Sequence, residues 1–377
     1  MNNCGLCPRG CGLEKGGTGF CRTRAASFGA SGRPPRPAIG TVDSLYGLVT
    51  AAAVDPIEKK PLYHWRPGSS VFSAGFAGCN MRCPFCQNWH ISQNAGAPGR
   101  RISPQALVDE AAESLCGQIA YTYSEPLVHF EYLLDCMEKA RAAGIANILV
   151  SNGCVNRGPA SEILALTDAA NIDLKSFSAE TYAKTLGGDL DTVLNFIRAA
   201  AAPGIHLEIT TLVVPGLNDS EEELDAAAAF IAGLFPAPEN GSSAETGNPA
   251  GARVFGVPWH LSAYHPDWKW DAPPTKPGAL FQIARRARDR HPRLRDFIYI
   301  GNSPVSRTEQ AVEFWDTVCP ACGAVLVRRA GGFRPYTSSV SALEIRDTPG
   351  GPRYYCAACG KAAPISGARA AGLRAKT

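Results

Sequence analysis

Net charge is nearly absent from this sequence. Its 37 lysines and arginines stand against 34 aspartates and glutamates, leaving +3 over 377 residues, and only 19% of the chain is charged. That balance is too small to argue for nucleic acid or an anionic membrane as a partner. Long apolar runs are missing too. No stretch reaches about 18 apolar residues, so no transmembrane helix is expected. The N-terminal residues 1–12 lack the apolar core of a secretory signal, which makes the cytoplasm the expected location. What the chain does have is a hydrophobic content of 45%, enough for one large domain with accessories.

It also has 14 cysteines. In a reducing compartment clustered cysteines are metal ligands or catalysts before they are disulfides. Eleven fall into three groups: Cys4, Cys7, Cys11 and Cys21; Cys79, Cys83 and Cys86; Cys319, Cys322, Cys356 and Cys359. Cys116 and Cys136 lie on predicted helices and read as small buried hydrophobes. Cys154 follows an Asn-Gly turn and reads as an inert thiol.

The first 70 residues are rich in Gly, Pro and Arg and read as a metal-stapled segment with a connecting arm. From Val71 strands alternate with helices. Strands are expected at Val71–Ala77, Gln118–Tyr123, Ala146–Ser151, Ala170–Leu174, His206–Val214, Arg253–Ser262 and Phe297–Ile300. Helices are expected at Pro104–Leu115, with Ser103 as N-cap, and at Val128–Ala143, Pro159–Thr167, Leu190–Ala201, Ser220–Leu234 and Gly278–Arg290. The pattern predicts βαβ units, a parallel sheet and an α/β fold: a partial (β/α)6 TIM-like barrel over 71–312, with ligands at the C-terminal strand ends. Residues 236–252 read as a polar insertion, 313–366 as a small zinc-ribbon or rubredoxin-like module, and 367–377 as a disordered basic tail.

The central group has the spacing Cys-x3-Cys-x2-Cys directly after a predicted strand. Cubane iron–sulfur clusters usually take four thiolates. Three without a fourth nearby leave one iron open to a small molecule, as an open position does on catalytic zinc. By spacing alone a zinc knuckle, or an ordinary cluster completed by a distant cysteine, remains the competing reading.

This triad resembles that of the radical S-adenosylmethionine (SAM) superfamily. The flanking blocks DPIEKKPLYHW (55–65), GCNMRCPFCQNWHISQ (78–93) and YTYSEP (121–126) resemble one branch, the AmmeMemoRadiSam-system radical enzymes, related to pyruvate formate-lyase activating enzymes. The resemblance implies that Cys79, Cys83 and Cys86 hold a [4Fe–4S] cluster whose open iron chelates S-adenosylmethionine. Reductive cleavage would give a 5′-deoxyadenosyl radical that abstracts hydrogen from substrate. Phe85 matches an aromatic position near the adenine. Ser124–Glu125–Pro126 falls where relatives carry Gly-Gly-Glu; both glycines are absent, while Glu125 retains the carboxylate for an amine. Ser151, Asn152 and Gly153 resemble a Thr-Asn-Gly motif near the ribose. Asp173–Leu174–Lys175 resembles an Asp-Leu-Lys motif whose lysine pairs with the cofactor carboxylate. Val213–Gly216 resembles a Val-Pro-Gly turn, with Thr210 and Thr211 where relatives often have an arginine. Of two histidines near the sixth strand, His265 is the preferred cofactor or substrate contact and His260 the second.

Implied partners are a reductant such as flavodoxin or ferredoxin, and either a glycyl radical protein or Memo-like and AMMECR-like proteins. The N-terminal four cysteines could close a zinc site or hold a second cubane; closed four-ligand sites are commoner, which favours zinc. The paired Cys-x2-Cys knuckles at the C-terminal end signal zinc, or iron as in rubredoxin. Two other function classes compete: an iron–sulfur electron carrier that does not cleave S-adenosylmethionine, and a nucleic-acid binder using the arginines between Arg285 and Arg295.

Overall fold

The computed structural model describes residues 2–26, 36, 38–202, 204–234, 255–303, 312–329, 338–349 and 351–367. A nine-stranded sheet forms its centre. In chain order its strands are β1 (Leu48–Pro56), β2 (Ser70–Phe76), β3 (Arg100–Arg101), β4 (Gln118–Thr122), β5 (Ala146–Ser151), β6 (Ala169–Asp173), β7 (His206–Val213), β8 (Trp259–Ala263) and β9 (Ile298–Gly301). Across the sheet the order is β9-β8-β7-β6-β5-β4-β2-β1-β3. From β2 to β9 every neighbour is parallel. β1 runs antiparallel to β2, and β3 antiparallel to β1.

Parallel strands covered by helices on crossover connections are buried on both faces, and these read as near-continuous buried runs. All five residues of β4 are buried. The helices are α1 (Pro104–Glu113), α2 (Phe130–Ala142), α3 (Arg157–Leu164), α4 (Leu190–Ala200), α5 (Glu221–Ala232) and α6 (Pro277–Arg290). On α4 the buried stripe Leu190, Val193, Leu194, Ile197 and Ala200 follows helical spacing. The side chains of Ser103, Asp189 and Ser220 accept the amides three residues on, capping α1, α4 and α5. Each such cap is worth about 1 kcal/mol.

The structure departs from the sequence expectation in three places. The sheet begins at Leu48, so the expected arm supplies β1, one strand in from the edge strand β3. The strand expected from Arg253 starts at Trp259, because Pro258 has no N–H to give to a ladder. Strand β4 stops at Thr122, because Tyr123 turns into the left-handed region at φ +68°. The expected insertion at 236–252 lies outside the described residues, as does the expected tail at 367–377 apart from Gly367, whose carbonyl accepts Arg66 Nε at 3.0 Å.

Two smaller parts flank the sheet. Near the N-terminus, Asn2–Asn3 pairs with Gly12–Leu13 and Arg24–Ala25 with Val42–Asp43, both antiparallel. Beyond β9, strands β10 (Thr317–Val318), β11 (Val325–Arg329) and β12 (Ser338–Val340) form an antiparallel sheet, and β13 (Leu343–Arg346) pairs with β14 (Arg353–Cys356). This end of the chain is tied back to the arm. Ser366 N donates to His64 O at 2.7 Å, and Arg66 N to Ser366 O at 3.1 Å. Buried Arg329 donates to Tyr63 O at 2.6 Å. No helix among the described residues is long and apolar enough to cross a membrane.

Candidate active site

In parallel α/β sheets the loops leaving the C-terminal strand ends converge on one edge. Here the cysteine loop follows β2, Tyr123–Glu125 follow β4, Asn152 follows β5 and Lys175 follows β6. Leu212 near the end of β7 and Ser262 near the end of β8 complete the ring. Together they enclose a cavity of about 220 Å³. Cys79, Cys83, Cys86, Phe85, Glu125, Asn152, Asp173 and Lys175 all line it. No fourth cysteine does.

Polar groups surround two of the triad sulfurs. Met81 N donates to Cys79 Sγ at 3.3 Å, and Asn152 Nδ2 approaches the same sulfur at 3.7 Å. Cys86 Sγ lies 3.2 Å from Ser92 Oγ. Burial pushes the Cys79 thiol well above its usual range and the Cys83 thiol up to about 12, with Lys175 offsetting only part of the latter. Buried thiolates therefore need positive charge from a metal centre. The three sulfurs are not gathered as tightly as one tetrahedral ion requires, since only Cys319, Cys322, Cys356 and Cys359 meet a 4.8 Å limit among the described residues. A polynuclear cluster with one protein-free position fits this donor set.

Glu125 is 1% exposed, so it is not a solvated loop charge. Its carboxylate accepts from Leu127 N at 3.0 Å, Ser151 Oγ at 2.7 Å and Asn152 N at 2.8 Å. Burial nevertheless wins over these donors and pushes its carboxyl up to about 7. Ser151 does not line the cavity; it holds Glu125 and accepts Gly153 N at 3.0 Å. Asn152 is fixed by Asn80 Oδ1 at 2.8 Å and accepts Cys154 N at 2.8 Å. Lys175 Nζ donates to Asp173 Oδ2 at 2.8 Å and stays 20% exposed. Burial pulls its ammonium down, but Asp173 and the Cys83 sulfur outweigh that, so it remains charged.

A second cavity of about 1060 Å³ adjoins the first and shares Tyr123, Ser124, Asp173, Thr210 and Ser262 with it. His260 lines this larger space, held by Glu208 Oε2 at 2.6 Å. His265 lines neither cavity; it is exposed and lies 3.0 Å from Nε2 of Gln87, which lines both. Glu208 also accepts His206 Nε2, Tyr63 N and His64 N. Sequence reasoning singled out neither this carboxylate nor the cluster Asp55–Lys60–Tyr123. Lys60 Nζ lies 2.7 Å from Asp55 Oδ2 and 4.3 Å from the Tyr123 ring centre, and Tyr123 OH donates to Asp55. Those residues fall inside the quoted sequence blocks, which was the available signal.

Outside the cavities, Cys319 and Cys359 sulfurs are 3.7 Å apart and those of Cys322 and Cys356 3.8 Å. Tetrahedral Zn–S bonds of about 2.3 Å require an edge of about 3.8 Å, so one ion fits this quartet. Cys154 is buried with its thiol pushed up to about 11, in keeping with an inert group. Cys136 is buried in α2, whereas Cys116 lies in the turn beyond α1 and is only half-buried. Four arginines of the patch share two carboxylates: Arg285 and Arg288 pair with Glu313, and Arg286 and Arg290 with Glu221.

Residues 75–228 match the family model described as Radical SAM superfamily. An uncharacterized protein of Methanocaldococcus jannaschii is 36% identical over 86% of this chain and 87% of its own length. The pyruvate formate-lyase-activating enzyme of Staphylococcus epidermidis is 27% identical over 42% of this chain and 67% of its own. A domain of pyruvate-formate lyase-activating enzyme from Bacteroides vulgatus overlays 45% of this chain and 92% of that domain at 21% identity and a TM-score of 0.35, too loose an overlay to carry an argument.

Proposed function

This chain belongs to the radical SAM superfamily and is an enzyme, and from that premise we propose that it reductively cleaves S-adenosylmethionine at a [4Fe–4S] cluster held by Cys79, Cys83 and Cys86. The observation that carries this reading is the cavity lined by exactly those three sulfurs together with a carboxylate and an ammonium. When bound, the cluster and S-adenosylmethionine supply one-electron cleavage of the sulfonium C–S bond and a 5′-deoxyadenosyl radical for hydrogen abstraction.

The chain's own groups bind and orient. Lys175 offers an ammonium for the cofactor carboxylate while Asp173 keeps it charged. Glu125, once ionised, offers a carboxylate for the cofactor amine, and Ser151 and the Asn152 amide hold it in place. Asn152 offers a polar group toward the ribose, and Phe85 an apolar wall for the base. The larger cavity, with His260 and the Asp55–Lys60–Tyr123 cluster, is the substrate side. Its substrate is a glycyl radical protein in this proposal, supported by the similarity to pyruvate formate-lyase-activating enzymes. A flavodoxin or ferredoxin is the proposed reductant. The curvature of a partial barrel, zinc in a C-terminal ribbon and a cytoplasmic location belong to the same proposal.

The test is 5′-deoxyadenosine formation by anaerobically reconstituted protein with a strong reductant, with Cys86→Ala as control. Product from the unmodified chain alone is expected. No product despite an intact cubane spectrum overturns the proposal and leaves an electron carrier.

A further inference from the structure

The cysteines of this chain fall into two geometries. The C-terminal quartet is gathered for one tetrahedral ion. Among the described residues no other three metal-ligating side chains meet that 4.8 Å limit. The triad at the active site does not, and neither does any three of Cys4, Cys7, Cys11 and Cys21. A cubane interposes four irons and four sulfides between its cysteines, so their sulfurs stand further apart than those on a single ion. The N-terminal quartet thus groups with the triad, not with the zinc-like site.

The same four residues carry other marks of a cluster site. None forms a disulfide, Cys4 and Cys21 are buried, and Cys7 and Cys11 are half-buried. Two of the sulfurs accept hydrogen bonds: Thr41 Oγ1 donates to Cys4 Sγ at 3.2 Å and Phe20 N to Cys11 Sγ at 3.5 Å. Hydrogen bonds to the sulfurs are one of the levers that set the potential of an iron–sulfur centre. The guanidiniums of Arg9 and Arg82 both lie over the Phe20 ring, at 3.5 and 3.8 Å, placing cations beside an anionic centre.

We propose that Cys4, Cys7, Cys11 and Cys21 hold a second cubane iron–sulfur cluster, not the zinc that spacing favoured. Its location gives it meaning. Cys21 O lies 2.5 Å from where a Cβ on Gly78 would stand, one residue before Cys79. Leu6 O accepts Asn156 N at 2.9 Å, from the loop that also carries Asn152. The quartet therefore sits directly against two loops of the active site, which places a second redox-active group beside the first.

The experiment counts metals in full-length protein reconstituted anaerobically with iron and sulfide in the presence of zinc. Two cubanes and one zinc are expected, so about eight irons per chain. The Cys79→Ala, Cys83→Ala, Cys86→Ala triple variant should keep about four irons and a reduced-cubane electron paramagnetic resonance signal. Replacing Cys7 and Cys11 by Ala should remove that half of the iron while the C-terminal quartet keeps its zinc, which reports that the chain is folded. A triple variant without cluster iron, or with a second zinc instead, overturns the inference. Neither result depends on whether S-adenosylmethionine is cleaved, so this inference and the proposed activity can fail separately.

Discussion

His64 shows what one side chain can report. It is fully buried, its Nδ1 2.6 Å from Pro364 O and its Nε2 2.5 Å from Tyr299 OH. Burial pulls its pKa down to about 3 from 6.5. The unfolded chain takes up a proton below pH 6.5 that the folded chain refuses until about pH 3. Its contribution to stability is therefore intact above pH 6.5 and falls by about 1.4 kcal/mol per pH unit below it. Denaturant unfolding between pH 7 and 5 should show this slope, and a His64→Asn variant should lose about one proton's worth of it. Glu125 has the opposite sense. Its carboxyl is raised to about 7, so folding favours the protonated form, and the stability present at low pH falls as pH rises from 4.5 to 7. Binding of a cationic amine needs the carboxylate. Affinity for S-adenosylmethionine should rise through pH 7, and a flat profile would remove Glu125 from cofactor binding. The identity of Glu125 was legible in its motif. Its three donors were not, because they come from a turn and from a strand end 26 residues away, and only folding brings those together.

Most elements were legible because their signal is local. Ser103 caps α1 as its position before a proline-led apolar run implies, and the strands matched to within a residue or two wherever burial made them continuous. Leu48–Pro56 was missed for a physical reason: its burial is mixed, with exposed residues at 52–54, as befits a strand near the sheet edge with no run to detect. The cysteine loop adds a test at this scale. Gly78 has φ +82°, and a Cβ there would stand 2.5 Å from both Cys21 O and Thr23 Cγ2. Gly78→Ala should therefore destabilise the chain by about 1–3 kcal/mol and separate the N-terminal segment from the loop. Thermal unfolding and iron retention would measure both. Normal iron content and an unchanged Tm would mean that the close approach is not rigid.

For the whole molecule, the question is how its outer parts reach the cavity. Residues 63–66 are held on one side by Glu208 and on the other by Pro364 and Ser366. Glu208 in turn holds His260 in the larger cavity. Emptying the C-terminal quartet of the metal proposed for it, by chelation or by Cys322→Ser with Cys359→Ser, should loosen this tie. Amide exchange at residues 63–66 should speed up while exchange in β5 stays unchanged. None of this connection was legible in sequence, since 300 residues separate its ends. That separation bears on how the protein is made. A ribosome delivers the arm some 300 residues before its clamp. Until residue 366 has emerged, His64 lacks its outer support beside the cavity-lining Tyr63, so any nascent chain that has already folded its sheet must wait with an unfinished cavity. Stop codons or proteolytic nicks after the sheet would leave the triad intact yet the larger cavity without the outer support of its Tyr63 wall.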